Sequence, residues 1–135
     1  MPFVSVTRLR VRSWRYLPAF VIQALRAARQ ARRADRNLGV SVLRDANRAF
    51  WTRTVWTDET AMRSFMRSGA HRGVMPRLAK WCDEAALAHW EQDGPEPPSW
   101  PEAHRRLQQQ RRRSRVDQPS PAPQRFEVPA PRAPA

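Results

Sequence analysis

The spacing of apolar residues changes between a strand period and a helix period in an order that few folds share. Residues 3–11 are rich in β-branched side chains and alternate along most of their length, which predicts a first strand. From Leu17 onward, apolar residues recur at spacings of three and four, which predicts a first helix. Pro18 suits its first turn, where a missing N–H has no helical partner. Asn37 and Gly39 predict the turn that ends this helical region.

Two more strands and a second helical region follow. Residues 39–44 and 49–56 predict strands two and three, and the short gap between them predicts a hairpin. Strand three has large apolar residues at both parities, so both of its faces should be covered. Thr57 is expected to cap the next helix, whose apolar face contains Phe65.

An interruption divides the second helical region before a fourth strand begins. Ser68 and Gly69 break the helical pattern, and a second helical piece follows. One stripe of this piece consists of His71, Val74, Met75, Leu78 and Cys82. Pro76 should kink or restart the helix, because it leaves the carbonyl of Arg72 without its helical partner. Residues 85–91 predict strand four.

The resulting order of strand, helix, strand, strand, helix, strand is that of a ferredoxin-like α+β subunit. This order places helices on one face of the sheet only. The other face, which is apolar at strand three, then needs cover from a second copy of the chain. The sequence therefore predicts a homodimer in which two sheets pack face to face as a dimeric α+β barrel.

The last part of the chain differs from the rest in composition, because residues 95–135 hold most of the 13 prolines. We expect one domain over residues 1–94, followed by a tail rich in proline and arginine. A short helix is expected at residues 102–113, with Leu107 as its only large apolar residue, too few to bury a face strongly. From Ser114 onward the tail is expected to be disordered.

The net charge of +13 comes almost entirely from arginine, since Lys80 is the only lysine. Such a skew is typical of a GC-rich coding bias, so we do not take it as evidence for nucleic acid as the main partner. The single cysteine excludes an intrachain disulfide and favours a reducing, cytoplasmic location. No apolar run has transmembrane length. The arginines before the apolar stretch at residues 16–25 are not followed by a signal-peptide cleavage site.

Several common catalytic patterns are missing from the sequence. It contains no His-Glu-x-x-His helix, paired Cys-x-x-Cys, P-loop or Gly-x-Ser-x-Gly, which argues against metallohydrolase, phosphoryl-transfer and serine-hydrolase functions. Asp83 and Glu84 are expected at a solvated helix end, and adjacent helical residues do not face one another. Cys82 is expected to be a small core residue. His89 is expected to be exposed.

Several segments carry a resemblance to a known family. They are Phe50-Trp51-Thr52, Trp56-Thr57-Asp58-Glu59, Met62, Phe65, Ser68-Gly69-Ala70-His71-Arg72, Met75-Pro76, Trp81-Cys82-Asp83-Glu84 and Ala88-His89-Trp90. In these segments the chain resembles the antibiotic-biosynthesis-monooxygenase-like family, and more narrowly its uncharacterised bacterial members and the related spheroidene monooxygenases. The resemblance covers roughly residues 3–92.

The resemblance implies a dimer of ferredoxin-like subunits with a pocket between the sheet and the helices. Some relatives oxidise polycyclic or quinol-like substrates without a cofactor, and some bind heme through a histidine of the second helix. His71 resembles that histidine, so the resemblance implies either no cofactor or heme. The chain departs from the heme-degrading pattern at Phe65, where those relatives have tryptophan, and near Thr7, where no asparagine is found. His71 also follows Phe65 at a shorter interval.

The candidate site consists of His71 and side chains that would contact an apolar ligand. On its apolar stripe, His71 should point at the sheet, where an imidazole can act as acid or base or ligate heme iron. The alternative is a buried histidine bonded to a backbone carbonyl. Trp51, Trp56, Phe65 and Thr7 are the expected ligand contacts. The two tryptophans have opposite strand parity, so at most one faces the pocket, and core filling is the alternative for both.

Three functions remain open from the sequence. The first is a monooxygenase-like enzyme acting on an apolar polycyclic or isoprenoid molecule. The second is a non-catalytic protein that binds a ligand or heme on the same scaffold. The third is a basic adaptor that contacts nucleic acid or a membrane surface through the first helix and the tail.

Overall fold

A single antiparallel sheet organises the protein. The computed structural model describes residues 1–110, 112–113 and 131, without the side chains of residues 69–72, 74–75 and 112–113. The strands are β1 (Phe3–Val11), β2 (Asn37–Arg44), β3 (Ala49–Trp56), β4 (Cys82–Glu91) and the short β5 (Arg112–Arg113). They are arranged in the order β2-β3-β1-β4-β5. The predicted α+β, ferredoxin-like architecture is confirmed.

Three helices pack on one face of this sheet: α1 (Leu17–Arg33), α2 (Glu59–Met66) and α3 (Gly69–Trp81). α2 is capped by Asp58, whose Oδ1 accepts a hydrogen bond from the backbone N–H of Ala61 at 2.8 Å. The prediction that Thr57 caps this helix was therefore wrong, and the cap is the next residue. α3 runs through Pro76 as one helix and does not restart there. The proline costs one backbone hydrogen bond, which a helix packed against a sheet can give up.

β4 begins three residues earlier than expected, and this changes the surroundings of its first residues. Asp83 and Glu84 lie in this strand, so the prediction of a solvated helix end was wrong. Glu84 is buried and accepts hydrogen bonds from Arg8 at 2.6 Å and from Arg10 at 3.1 Å. Cys82 is fully buried, as expected of a small core residue.

The opposite face of the sheet is covered by a fourth helix, α4 (Trp100–Gln110). The shared apolar cluster consists of Val4, Val6, Trp51, Val55, Ala88, Trp90, Ala103 and Leu107, with Leu43, Ala86 and Trp100 packed against it. The expectation that helices cover one face only was therefore wrong. The helix begins two residues earlier than predicted, which adds Trp100 to its apolar side.

Arg53 of β3 connects the sheet to the segment that leads into α4. Its guanidinium lies 4.2 Å from the ring centre of Trp100 and donates a hydrogen bond to the carbonyl of Pro98 at 2.6 Å. Across its described residues the protein has no helix with the length and apolar character needed to span a bilayer. The predicted disordered tail from Ser114 lies outside the described residues, apart from residue 131.

Candidate functional site

A cavity of about 640 Å³ lies between the sheet and the helices α1, α2 and α3. Its roof on α1 is made largely of small side chains, namely Ala24, Ala27, Ala28 and Ala31. Because an alanine projects only one carbon from the helix, this stripe leaves an open space above the sheet. The cavity is therefore a consequence of the alanine-rich inner face of α1.

The floor of the cavity carries a group of hydroxyl side chains on the two central strands. Ser5 and Thr7 of β1 lie directly opposite Thr54 and Thr52 of β3, and all four line the cavity. Thr54 also accepts a hydrogen bond from the indole N–H of Trp56 at 2.9 Å. The four residues form a small polar area in a mostly apolar floor, and we refer to it as the hydroxyl patch.

His89 of β4 borders this patch, because it lies opposite Ser5 on β1 and also lines the cavity. It is half-buried, with its ring centre 5.8 Å from that of Phe3, so the expectation that it is exposed was wrong. Among the described residues of the cavity wall, it is the one titratable side chain. Histidine is the residue most often used to move protons at an active site.

The backbone of His89 is held by the last residue of α4. Its N–H donates to Oε1 of Gln110 at 3.1 Å, and its carbonyl accepts from Nε2 of the same side chain at 2.9 Å. The Gln110 amide therefore bonds to β4 in the way that a neighbouring strand would. α4 fixes the position of a cavity residue from the opposite side of the sheet.

The structure brings together only part of the predicted site. Thr7 and Phe65 both line the cavity. Trp56 is fully buried behind Phe65, with ring centres 5.2 Å apart, and is not part of the wall. Trp51 lies on the opposite face of the sheet. His71 belongs to α3, but its side chain lies outside the described parts of the chain.

Trp51 has a structural environment of its own. Its indole N–H donates to Oδ2 of Asp45 at 3.1 Å, and its ring lies 6.3 Å from that of Trp100. The contact with Trp100 joins β3 to α4 on the sheet face away from the cavity. Trp51 therefore lies in a core environment, which is the alternative interpretation of this residue from the sequence.

One signal in the sequence points to Ser5, Thr52 and Thr54, the residues of the hydroxyl patch that sequence reasoning missed beside the predicted Thr7. Polar residues occupy alternate positions on both central strands, as at Ser5 and Thr7 and again at Thr52 and Thr54. In strands with large apolar neighbours, such alternation indicates polar groups on one face.

Within the described residues, no cluster of histidine, cysteine, aspartate and glutamate is arranged to hold a metal ion.

A family model described as Domain of unknown function (DUF3291) matches residues 14–130. No curated protein sequence matches the chain. Among solved structures, a variant of SnoaB, a cofactor-independent oxygenase from Streptomyces nogalater, superposes with a TM-score of 0.58 at 19% identity. That match covers 70% of this chain and 98% of the oxygenase.

Two further solved structures also superpose on this chain at low sequence identity. A Nitrosomonas europaea protein that carries the name antibiotic biosynthesis monooxygenase has a TM-score of 0.61 at 14% identity, over 67% of this chain and 89% of its own. A protein from Mycobacterium tuberculosis has a TM-score of 0.64 at 10% identity, over 70% of this chain and 97% of its own. At such identities the likeness establishes the fold, which this chain shares with the three structures.

Proposed function

The chain belongs to the DUF3291 family, and on that premise we propose that its cavity binds one apolar polycyclic or isoprenoid molecule. The proposed activity is that of a monooxygenase-like enzyme that uses molecular oxygen. The observation that carries the proposal is the cavity itself, whose volume of about 640 Å³ is within the range of small-molecule sites. The name of the Streptomyces nogalater oxygenase supports the choice of reaction.

The lining of the cavity favours a molecule with a large apolar body and one or two oxygen atoms. Burying its apolar surface against the alanines of α1 and the side chain of Phe65 would contribute about 25 cal/mol per Å². The hydroxyl patch can donate to a carbonyl or hydroxyl oxygen of the ligand and so fix its orientation. A fully apolar ligand would leave these hydroxyl groups without that partner.

His89 supports a catalytic role in this proposal. As a general base it would accept a proton from a ligand carbon whose carbanion is conjugated with a carbonyl, and that carbanion would supply electrons to O₂. For a CH₂ group, one oxygen atom ends in the new carbonyl. The second leaves as water with the two hydrogens. The ligand itself is the reductant in this balance.

Anthrone, a tricyclic ketone with one oxidisable CH₂ group, is a suitable probe. We expect the full-length protein to bind anthrone and to consume one O₂ for each anthraquinone formed at pH 7. Ala27→Phe should weaken binding about tenfold or more, because the larger side chain fills the cavity. Ala19→Phe, on the exposed side of the same helix, is the matched control and should bind like the wild type.

His89→Gln separates binding from chemistry. It should slow oxidation about 100-fold while leaving the affinity for anthrone unchanged. If Ala27→Phe binds anthrone as well as Ala19→Phe does, the cavity is not the site. If anthrone binds but is oxidised no faster than in buffer, the protein is not an enzyme for this ligand, and the non-catalytic binding function is favoured instead.

The remaining parts of the earlier interpretation stay predictions. Hemin titration tests the heme alternative, since a Soret band that His71→Ala removes would support heme and would contradict a cofactor-free oxidation. The homodimer stays a prediction, although α4 now occupies the sheet face from which it was argued. The cytoplasmic location also stays a prediction.

A further inference from the structure

The outward face of α1 exposes large apolar side chains. Ile22 is 57% exposed and Leu25 is 63% exposed, and their spacing of three places them on one face of the helix. Trp14, in the short turn that leads into α1, is 66% exposed. Among the described large apolar residues, these three and Met1 have the largest exposures. The ring centre of Trp14 lies 5.6 Å from the guanidinium of Arg48. We call Ile22 and Leu25 the α1 apolar surface.

Arginine side chains surround this surface, and acidic residues are missing from it. Residues 12–34 contain no aspartate or glutamate. The exposed arginines of this segment are Arg15, Arg26, Arg29, Arg32 and Arg33. Elsewhere on the described surface several arginines are paired with carboxylates, as Arg63 is with Glu59. The segment therefore combines exposed apolar groups with a positive charge that no acidic residue of the same segment compensates.

We propose that the α1 apolar surface and its arginines dock on an anionic phospholipid bilayer. Ile22 and Leu25 would enter the boundary between headgroups and acyl chains, as the apolar face of an interfacial helix does. Trp14 has the amphipathic ring that is enriched at the level of the headgroups. The arginines would contact lipid phosphates, each contributing about 1 kcal/mol near an anionic surface.

Charge and apolar exposure together favour a membrane over the other occupants of such a surface. A second copy would bring the same arginines against each other, and like charges across an interface oppose association. A nucleic acid would satisfy the arginines but would leave Ile22 and Leu25 in water. A bilayer with anionic lipids satisfies both. The proposal does not depend on what the cavity binds.

Co-sedimentation with vesicles tests this directly on the full-length protein. The vesicles contain either phosphatidylcholine alone or phosphatidylcholine with phosphatidylglycerol at about 70:30, since an electrostatic contribution requires the anionic lipid. We expect binding to the mixed vesicles that decreases as salt is added, because salt screens exposed charges. The double variant Ile22→Ser, Leu25→Ser should reduce the partition coefficient about tenfold or more. Leu38→Ser, at an exposed apolar residue of β2, is the control and should bind like the wild type.

A second pair of variants separates a local surface from the overall net charge. Arg26→Gln with Arg29→Gln should weaken vesicle binding about tenfold or more. Arg44→Gln with Arg67→Gln removes the same charge from other exposed positions and should have a much smaller effect. Equal losses in the two pairs would overturn the proposal, because binding would then follow net charge alone.

Two further measurements identify the competing occupants. If the wild type sediments as a dimer and Ile22→Ser with Leu25→Ser makes it monomeric, the surface is an interface between copies, and the proposal is wrong. Binding to duplex DNA that exceeds binding to the mixed vesicles and is unaffected by these two substitutions would overturn it in favour of nucleic acid. Far-UV circular dichroism of each variant checks that α1 remains folded.

Discussion

Cys82 is fully buried at the start of β4, and burial, assisted by the neighbouring Asp83 carboxylate, raises the pKa of its thiol to about 12. In the unfolded chain the pKa of a thiol is about 8.5. Between these values the unfolded state releases a proton that the native state retains, so stability should fall as pH rises. The slope attributable to this group approaches about 1.4 kcal/mol per pH unit.

Urea unfolding of the wild type and of Cys82→Ala between pH 8 and pH 11 isolates this contribution. The variant should lose less stability over the range, because it has no thiol to ionise. If both proteins lose the same stability, ionisation of Cys82 is not the cause. The native thiol should also react slowly with iodoacetamide at pH 8, since the thiolate is the reactive form.

Glu84 and Arg8 form an ion pair at 2.6 Å in which each side chain is 8% exposed. Glu84→Gln removes the carboxylate and leaves the guanidinium buried, which should cost about 3–5 kcal/mol of unfolding free energy. The control is Asp83→Asn, whose carboxylate is 3.4 Å from Arg10 and more exposed, and it should cost about 1 kcal/mol or less. Equal losses in urea unfolding would show that the buried pair contributes nothing specific.

At the residue scale, strand parity accounts for what the sequence could predict. Parity correctly restricted the pocket to at most one of Trp51 and Trp56. It could not show that Trp56 lies behind Phe65 rather than beside it. His89 was missed because its exposure depends on the helices above β4, and strand parity contains no information on those.

At the scale of elements, α4 shows how a helix with few large apolar residues can still cover a sheet. Trp100, Ala103 and Leu107 follow a helical spacing, and the small Ala103 lets the helix approach closely. Counting large residues alone underestimated this face. The sequence also indicates where α4 begins, because Ser99 and Glu102 form a Ser-x-x-Glu capping pattern. In the structure, Ser99 Oγ accepts a hydrogen bond from the backbone N–H of Glu102 at 3.2 Å.

Leu107→Ala tests whether α4 stabilises the fold. Leu107 is fully buried against the sheet, so the substitution should cost about 2–5 kcal/mol of unfolding free energy. Gln109→Ala, at an exposed position of the same helix, should change it by less than about 0.5 kcal/mol. A Leu107→Ala protein as stable as Gln109→Ala would mean that α4 contributes little to stability. Urea unfolding measures both.

At the scale of the whole molecule, the order of strands and helices could be predicted, but the layers that cover the sheet could not. Period changes along the chain are local, and they indicated the ferredoxin-like order correctly. Which segment covers the second face depends on contacts of α4 with β4 and with β1 and β3, and the last two strands are far away in sequence. The homodimer was a reasonable consequence of an uncovered face, and that face has a cover within the same chain.

Truncations at two points distinguish cover by α4 from cover by a second copy. A chain that ends at residue 113 retains α4 and loses a segment with few apolar residues, so it should melt within a few degrees of the full chain. A chain that ends at residue 94 lacks α4 and exposes Trp51 and Trp90 on the sheet. An apolar face of this kind promotes association, so we expect the shorter chain to form dimers or larger species in sedimentation at micromolar concentration, or to unfold.

If the shorter chain remains a monomer and melts like the full chain, α4 is dispensable and the sheet face does not need the cover. If the full chain is itself a dimer while α4 covers the sheet, the second copy packs on α4 or on another surface, and the face-to-face packing of two sheets is wrong.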